Sequence, residues 1–100
     1  INLEAMACET AVVASAIGGI PEVVVPGETG VLVDLKLKQG SFDPLDAAQF
    51  SHDLAAAINQ VALDPQLRQK FGANGRARVE EHFSWTAIAQ RTLELYRSLV

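Results

Sequence analysis

The fold is decided by one stretch, residues 3–22, whose sequence is LEAMACETAVVASAIGGIPE. The stretch begins with good helix formers, among them a carboxylate, Glu4. An apolar run with a Val-Val centre follows at residues 11–15 and is typical of a buried parallel strand. Gly18-Gly19 then breaks the strand, and Pro21 suits the first position of a helical turn. This order of helix, strand and glycine turn predicts a binding edge of an α/β sheet.

The neighbouring segments extend this pattern. Residues 2–8 predict the C-terminal part of a helix that begins before Ile1, and residues 26–30 predict a turn that contains both Pro and Gly. Residues 31–33 predict a second short strand. Residues 34–45 have no clean period and predict an exposed loop. The order of elements predicts part of a doubly wound α/β domain.

The second half of the chain has helical periodicity. A first helix is expected to start near Asp46. Asp64-Pro65 predicts the start of a second, with Asp as the N-cap and Pro at the first helical position. Ser84 is an N-cap signal for the last helix. The expected apolar faces are Phe50, Leu54, Ile58 and Val61 in the first helix, Leu67 and Phe71 in the second, and Trp85, Ile88, Ala89, Thr92, Leu95, Tyr96 and Leu99 in the third.

The glycines make the second helix the least regular of the three. It is expected to run to about Glu81, but Gly72 and Gly75 lower its helix propensity.

Composition and charge bound the class of protein. A content of 49% hydrophobic and 20% charged residues is that of a folded globular chain. The net charge of −4 argues against nucleic acid or an anionic membrane as the main partner. No apolar run approaches the ~20 residues of a membrane-spanning helix.

The metal-ligating and thiol side chains predict no metal site. Cys8, the one cysteine, is expected to be a buried small hydrophobe in a reducing, cytoplasmic compartment. His52 and His82 have no metal-ligand spacing to each other or to Cys8, and both are expected at the surface.

Three ordered motifs are similar to those of a known family. They are LEAMA at residues 3–7, GGIPEVV at residues 18–24 and GETGVLV at residues 27–33. With FSW at residues 83–85, they resemble the C-terminal lobe of retaining family-4 glycosyltransferases, which have the two-lobed GT-B fold. Within that family the chain resembles the actinobacterial glycogen synthase type, some members of which make maltose 1-phosphate. The resemblance fails mainly over residues 36–48.

The resemblance implies a fold and an activity. Residues 1–100 would form the C-terminal portion of a Rossmann-like, nucleotide-sugar-binding lobe, and the rest of the enzyme, including its N-terminal lobe, would precede Ile1. The enzyme would transfer glucose from a nucleotide-glucose, with ADP-glucose favoured, to an α-1,4-glucan or glucose 1-phosphate with retention, in glycogen biosynthesis. The donor is a substrate, so no cofactor is expected. The chain by itself is expected to be inactive.

The same resemblance assigns roles to a few residues. Glu4 matches the second of two motif glutamates, whose carboxylate accepts hydrogen bonds from the donor ribose. Leu3 would contact the ribose and base, and Gly18 and Gly19 would form a loop near the site. The first glutamate and the basic pair that neutralises the leaving phosphate would precede Ile1, so no catalytic residue is expected within the chain.

The last helix has an implied partner as well. In GT-B enzymes the final helices cross back towards the N-terminal lobe. The side chains of Trp85, Tyr96 and Leu99 are therefore expected to form an exposed apolar patch in this chain.

Three alternatives remain open. The parent could be another family-4 hexosyltransferase or mannosyltransferase, because these share the glycine and Pro-Glu pattern. It could be a nucleotide-sugar epimerase with the same two-lobed fold. It could also be a non-catalytic module that binds a sugar or a protein partner at the same sheet edge.

Overall fold

The computed structural model describes residues 1–41 and 43–100, and these form a mixed α/β structure. In chain order the elements are α1 (Asn2–Ala7), β1 (Val12–Ser15), α2 (Ile20–Val23), β2 (Gly30–Val33), α3 (Ala47–Ala62), α4 (Pro65–Arg78), a π-helical segment (Val79–Phe83) and α5 (Trp85–Ser98). The predicted fold class, short parallel strands with several helices, is confirmed. The loop predicted for residues 34–45 includes Phe42, which lies outside the described residues.

The two strands form a parallel pair in which Val12 lies opposite Gly30 and Ser15 opposite Val33. Parallel strands need a crossover of about a dozen residues or more. Here the crossover contains α2 and the turn before β2. Because the strands run in the same direction, their carboxyl ends meet at one edge of the sheet.

The core lies between α1, the sheet and α4. Met6 and Val24 are fully buried, Val12 is almost so, and Phe71 of α4 is 2% exposed. The α4 helix comes close to α1 because it has glycines at the contact: a Cβ built on Gly75 would lie 3.3 Å from the Met6 Cγ. The glycines that lowered helix propensity therefore allow these helices to pack closely.

The prediction that Cys8 is buried is wrong, because its thiol is exposed. Successive residues of a helix are rotated by about 100°, so Cys8 lies about 200° from Met6 around the axis of α1. Since Met6 faces the core, Cys8 faces away from it.

The predicted face of α3 is wrong at one position. Ile58 is 48% exposed, whereas Ala57 and Val61 are buried. The face that packs inward has residues at 50, 54, 57 and 61, a regular helical stripe in which alanine replaces the larger side chain. Helical periodicity alone favoured isoleucine because of its size.

The second long helix ends earlier than predicted. Its α-helical part stops at Arg78 rather than near Glu81, and five π-helical residues continue it. Ser84 then adopts an extended backbone and its hydroxyl accepts a hydrogen bond from the Ala87 N–H at 3.1 Å. The N-caps predicted at Asp64 and Ser84 are confirmed, and the helix predicted to start near Asp46 begins directly after this residue, which is its N-cap.

The last helix, α5, has no buried residue. Trp85 is 87% exposed, Tyr96 62% and Leu99 76%. The predicted exposed apolar patch is therefore present.

Candidate functional site

The candidate site lies at the carboxyl edge of the sheet. The loop at residues 16–19 leaves β1 at this edge, and the Ala16 N–H donates to the Val33 carbonyl at 2.8 Å. Gly18 has φ +59°, in the left-handed region that favours glycine. A Cβ on Gly18 or Gly19 would meet no atom within 4 Å, so this turn faces open space.

A groove of about 280 Å³ brings two of the predicted site residues together. The first residues of α1 form one wall, and α2 with its N-cap forms the other. The lining residues are Ile1, Asn2, Leu3, Gly19, Ile20 and Val23. Leu3 and Gly19, sixteen positions apart in the sequence, therefore face the same space.

The structure places the other two predicted residues beside the groove rather than in its lining. Glu4 is exposed at the first turn of α1, next in sequence to Leu3. Gly18 is exposed and precedes the lining residue Gly19. No lining residue of this groove has a charged side chain.

The starts of α1 and α2 are held differently. The Ala5 N–H donates to the Ile1 carbonyl at 3.2 Å, which closes the first turn of α1. Gly19 is the N-cap of α2, with Pro21 in its first turn as predicted. Neither helix has a side-chain N-cap hydrogen bond.

Helix α4 carries several cationic side chains to which no role was assigned from the sequence. Arg76 donates from Nη1 to the Ala7 carbonyl at 2.6 Å and from Nε to Glu80 at 2.7 Å. The Glu80 carboxylate, through this hydrogen bond and its charge, raises the pKa of Arg76. Arg78 donates to the carbonyls of Glu22 and Val23 at 2.7 and 2.9 Å. Arg76 contacts the end of α1 that lies away from the groove. Arg78 contacts the end of α2, whose last residue, Val23, lines the groove.

A larger groove of about 520 Å³ lies at the turn before β2, the opposite edge of the sheet. Its charged lining residues include Glu28, Lys70 and Arg78. Lys70 and the nearby Asn74 donate to backbone carbonyls of the turn, at 3.5 and 2.9 Å. The polar groups of this groove thus hold the turn on α4. This groove could not be predicted from the sequence, because its lining residues are far apart along the chain.

The histidines are exposed, as predicted. His82 lies 3.6 Å from Glu81, and both line the larger groove. Within residues 1–41 and 43–100, no three His, Cys, Asp or Glu side chains are grouped closely enough to hold a metal ion.

The groove at the carboxyl edge lies in the part of the chain that matches a protein-family model. The model, "Glycosyl transferases group 1", matches residues 1–43, which include the whole groove lining. A solved sucrose-phosphate synthase from Thermosynechococcus elongatus superposes with a TM-score of 0.73 at 43% identity, over 98% of this chain and 21% of that one. The chain is thus similar to the group 1 glycosyltransferases. The resemblance found in the sequence is thereby confirmed.

Curated relatives agree with this similarity. An alpha-maltose-1-phosphate synthase from Mycolicibacterium smegmatis is 48% identical over 99% of this chain. A glycogen synthase from Mycobacterium tuberculosis is 36% identical over 96% of it. The chain spans 24% of the length of the first relative and 20% of the second. In the described part of the chain, no helix is both long and apolar enough to cross a bilayer.

Proposed function

We propose that the protein containing this chain transfers glucose from a nucleotide-glucose, with ADP-glucose favoured, and retains the anomeric configuration. The proposed acceptor is an α-1,4-glucan or glucose 1-phosphate, in glycogen biosynthesis. The similarity to an alpha-maltose-1-phosphate synthase along almost the whole chain is the observation that carries this proposal. Two of the relatives have a phosphorylated sugar in their names, which supports a sugar phosphate as acceptor.

The groove at the carboxyl edge is the proposed place for the donor nucleotide. Ligands of α/β sheets bind outside the carboxyl ends of the strands, and this groove lies there. The Leu3 side chain lines it and offers apolar contact to a base and ribose. The exposed Glu4 carboxylate, an acceptor-only group, can take two vicinal ribose hydroxyls.

The reaction needs more than this chain provides. We propose that the basic side chains that neutralise the leaving phosphate lie in the remainder of the longer protein. The group that contacts the transferred sugar is proposed to lie there too. The chain alone is therefore proposed to be inactive. The nucleotide-sugar acts as a substrate, and neither a cofactor nor a metal ion is part of the proposal. The cytoplasmic location predicted from the sequence stays a prediction.

The test uses the full-length protein. ADP-glucose, UDP-glucose and GDP-mannose are offered separately, with glycogen or glucose 1-phosphate as acceptor. Glucose transfer with an α-anomeric product, detected by NMR, supports the proposal. A β-anomeric product contradicts retention.

The ribose role of Glu4 is tested in the same assay with Glu4→Gln. Loss of one charge-assisted hydrogen-bond acceptor is expected to raise the donor KM by about tenfold, equivalent to about 1.4 kcal/mol. Glu94→Gln is the matched control, because Glu94 is an exposed carboxylate on α5. Equal KM values for Glu4→Gln and wild type would remove Glu4 from the site.

The alternative activities are outcomes of the same assay. Turnover of GDP-mannose but neither glucose donor would identify another family-4 hexosyltransferase. A free altered sugar without acceptor would identify an epimerase. Binding of a donor without any turnover would favour the non-catalytic module.

A further inference from the structure

Three arginines of α4 each contact the C-terminal end of a different helix. The guanidinium groups donate hydrogen bonds to main-chain carbonyl oxygens in every case. The pairs are Arg76 with Ala7 of α1, Arg78 with Glu22 and Val23 of α2, and Arg68 with Val61 and Ala62 of α3. The last carbonyls of a helix have no partner within the helix, so these arginines supply one.

The α1 contact completes the end of that helix. The Glu9 N–H donates to the Met6 carbonyl and the Thr10 N–H to the Ala5 carbonyl, each at 3.0 Å, which is a Schellman arrangement. Neither of these two bonds uses the Ala7 carbonyl, which accepts a hydrogen bond from Arg76 instead. The end of α1 is thus fixed to α4 by a side chain as well as by the packing of Met6.

The α2 contact is more important to its helix, because α2 has only four residues. So short a helix has almost no stability of its own. Arg78 binds two carbonyls at its end, and the Arg78 guanidinium lies 5.4 Å from the centre of the Phe83 ring. The Arg78 guanidinium is therefore held by the α2 carbonyls and by the Phe83 ring.

Helices α1 and α2 also form the two walls of the groove at the carboxyl edge. The α1 wall lies at the N-terminal end of that helix, whereas the α2 wall includes Val23, whose carbonyl accepts from Arg78. We infer that Arg76 and Arg78 are positioning residues for nucleotide-sugar binding: they fix α1 and α2 on α4 and so set the separation of the groove walls. This inference rests on the proposed function for the identity of the ligand. Neither arginine lines the groove, so both act through the helices.

Arg68 provides a matched comparison within the same helix. It makes the same kind of contact, but to α3, which contributes no residue to the groove lining. Loss of Arg68 therefore removes an equivalent hydrogen bond without moving a groove wall.

The first measurement is the Kd of ADP-glucose, UDP-glucose and GDP-mannose for the full-length protein, by titration calorimetry. The variants are Arg76→Met, Arg78→Met and Arg68→Met, which keep much of the aliphatic stem. We expect the first two to raise the Kd about fivefold or more and Arg68→Met to change it less than about twofold, at similar thermal midpoints. Arg76→Lys and Arg78→Lys are expected to restore part of the affinity, because a lysine can still reach one carbonyl.

The second measurement needs no ligand. Hydrogen exchange of the Cys8 and Val24 amides reports on the ends of α1 and α2, since these amides donate to the Glu4 and Ile20 carbonyls. We expect Arg76→Met to accelerate exchange at Cys8 by about tenfold and Arg78→Met at Val24 similarly, with Arg68→Met changing neither.

The outcomes separate the two proposals. Exchange that is unchanged in Arg76→Met and Arg78→Met overturns the inference, whatever the affinities are. Accelerated exchange with affinities equal to that of Arg68→Met overturns it as well. A wild-type protein that binds none of the three nucleotide-sugars contradicts the proposed function instead, and in that case the exchange rates alone decide whether the arginines position the helices.

Discussion

Gly72 lies so close to Glu9 that a Cβ on the glycine would be 2.1 Å from the Glu9 carbonyl oxygen. This contact joins α4 to the end of α1, the helix whose first turn carries Leu3 and Glu4. A main-chain oxygen cannot move aside as a flexible side chain can. The close packing of the two helices therefore depends on the absence of a side chain at this position.

Gly72→Ala is expected to destabilise the fold despite the better helix propensity of alanine. The methyl group would force α1 and α4 apart, at a cost of about 1–3 kcal/mol, and the propensity gain of about 1 kcal/mol reduces this only in part. The thermal unfolding midpoint of the full-length protein measures the effect. Gly75→Ala is the control: its Cβ would meet the flexible Met6 side chain at 3.3 Å, so its midpoint should change much less. Equal shifts for both variants would contradict the explanation.

Glu9→Gly is expected to raise the midpoint. Glu9 has φ +59°, in the left-handed region at the end of α1 where glycine is favoured. Relief of about 1–2 kcal/mol of steric cost exceeds the entropy that glycine loses on folding, for a net gain of about 0.5–1 kcal/mol. Glu9→Ala removes the same carboxylate and keeps the Cβ, so a gain in this variant too would assign the effect to charge rather than to φ.

The adjacent glycines of the candidate site should respond differently to alanine. Gly18 has φ +59°, so Gly18→Ala is strained by about 1–2 kcal/mol and lowers the midpoint. Gly19 has φ −83°, and a Cβ added to it would lie in open space. The free energy of unfolding of Gly19→Ala should therefore stay within about 0.5 kcal/mol of the wild-type value. Because residue 19 lines the groove, the methyl group of the new alanine should nevertheless weaken donor binding, which is measured as a higher Kd. Unchanged affinity in a stable Gly19→Ala protein would mean that the donor binds elsewhere.

Ser84→Ala is expected to cost about 1 kcal/mol of stability through loss of the N-cap of α5. The Ser84 hydroxyl also donates to the Glu80 carbonyl at 3.1 Å, so it links the π-helical segment to α5. Ser84→Asp retains the acceptor and should recover part of the loss in midpoint. Ser98→Ala is the control, since its hydroxyl bonds the exposed Leu95 carbonyl near the other end of the helix. A loss from Ser98→Ala as large as that from Ser84→Ala would exclude capping as the cause.

Features that depend on a few consecutive residues could be predicted from the sequence. The strand at β1, the proline at the start of α2, the start of α3 near Asp46 and the cap at Asp64 are all of this kind, since each follows from local backbone chemistry. The exposure of Cys8 and the exposed Ile58 could not be predicted, because they depend on how each helix is rotated against the core.

In the candidate site, too, local motifs could be predicted from the sequence and contacts between distant residues could not. The motifs indicated Leu3 and the Gly18-Gly19 turn, and the structure places Leu3 and Gly19 in one groove. The contacts of Arg76 and Arg78 were not predictable, since they join residues about 55–69 positions apart. The roles of Glu4 and Leu3 towards a donor stay predictions.

The single methionine of the chain, Met6, is fully buried where α1 packs on Gly75. Peroxide converts a methionine to its sulfoxide only where the thioether meets solvent, so Met6 can react only while α1 is displaced from α4. The oxidation rate of this one side chain, followed by mass spectrometry of the peptide that contains it, therefore reports how often the helix bearing Glu4 opens.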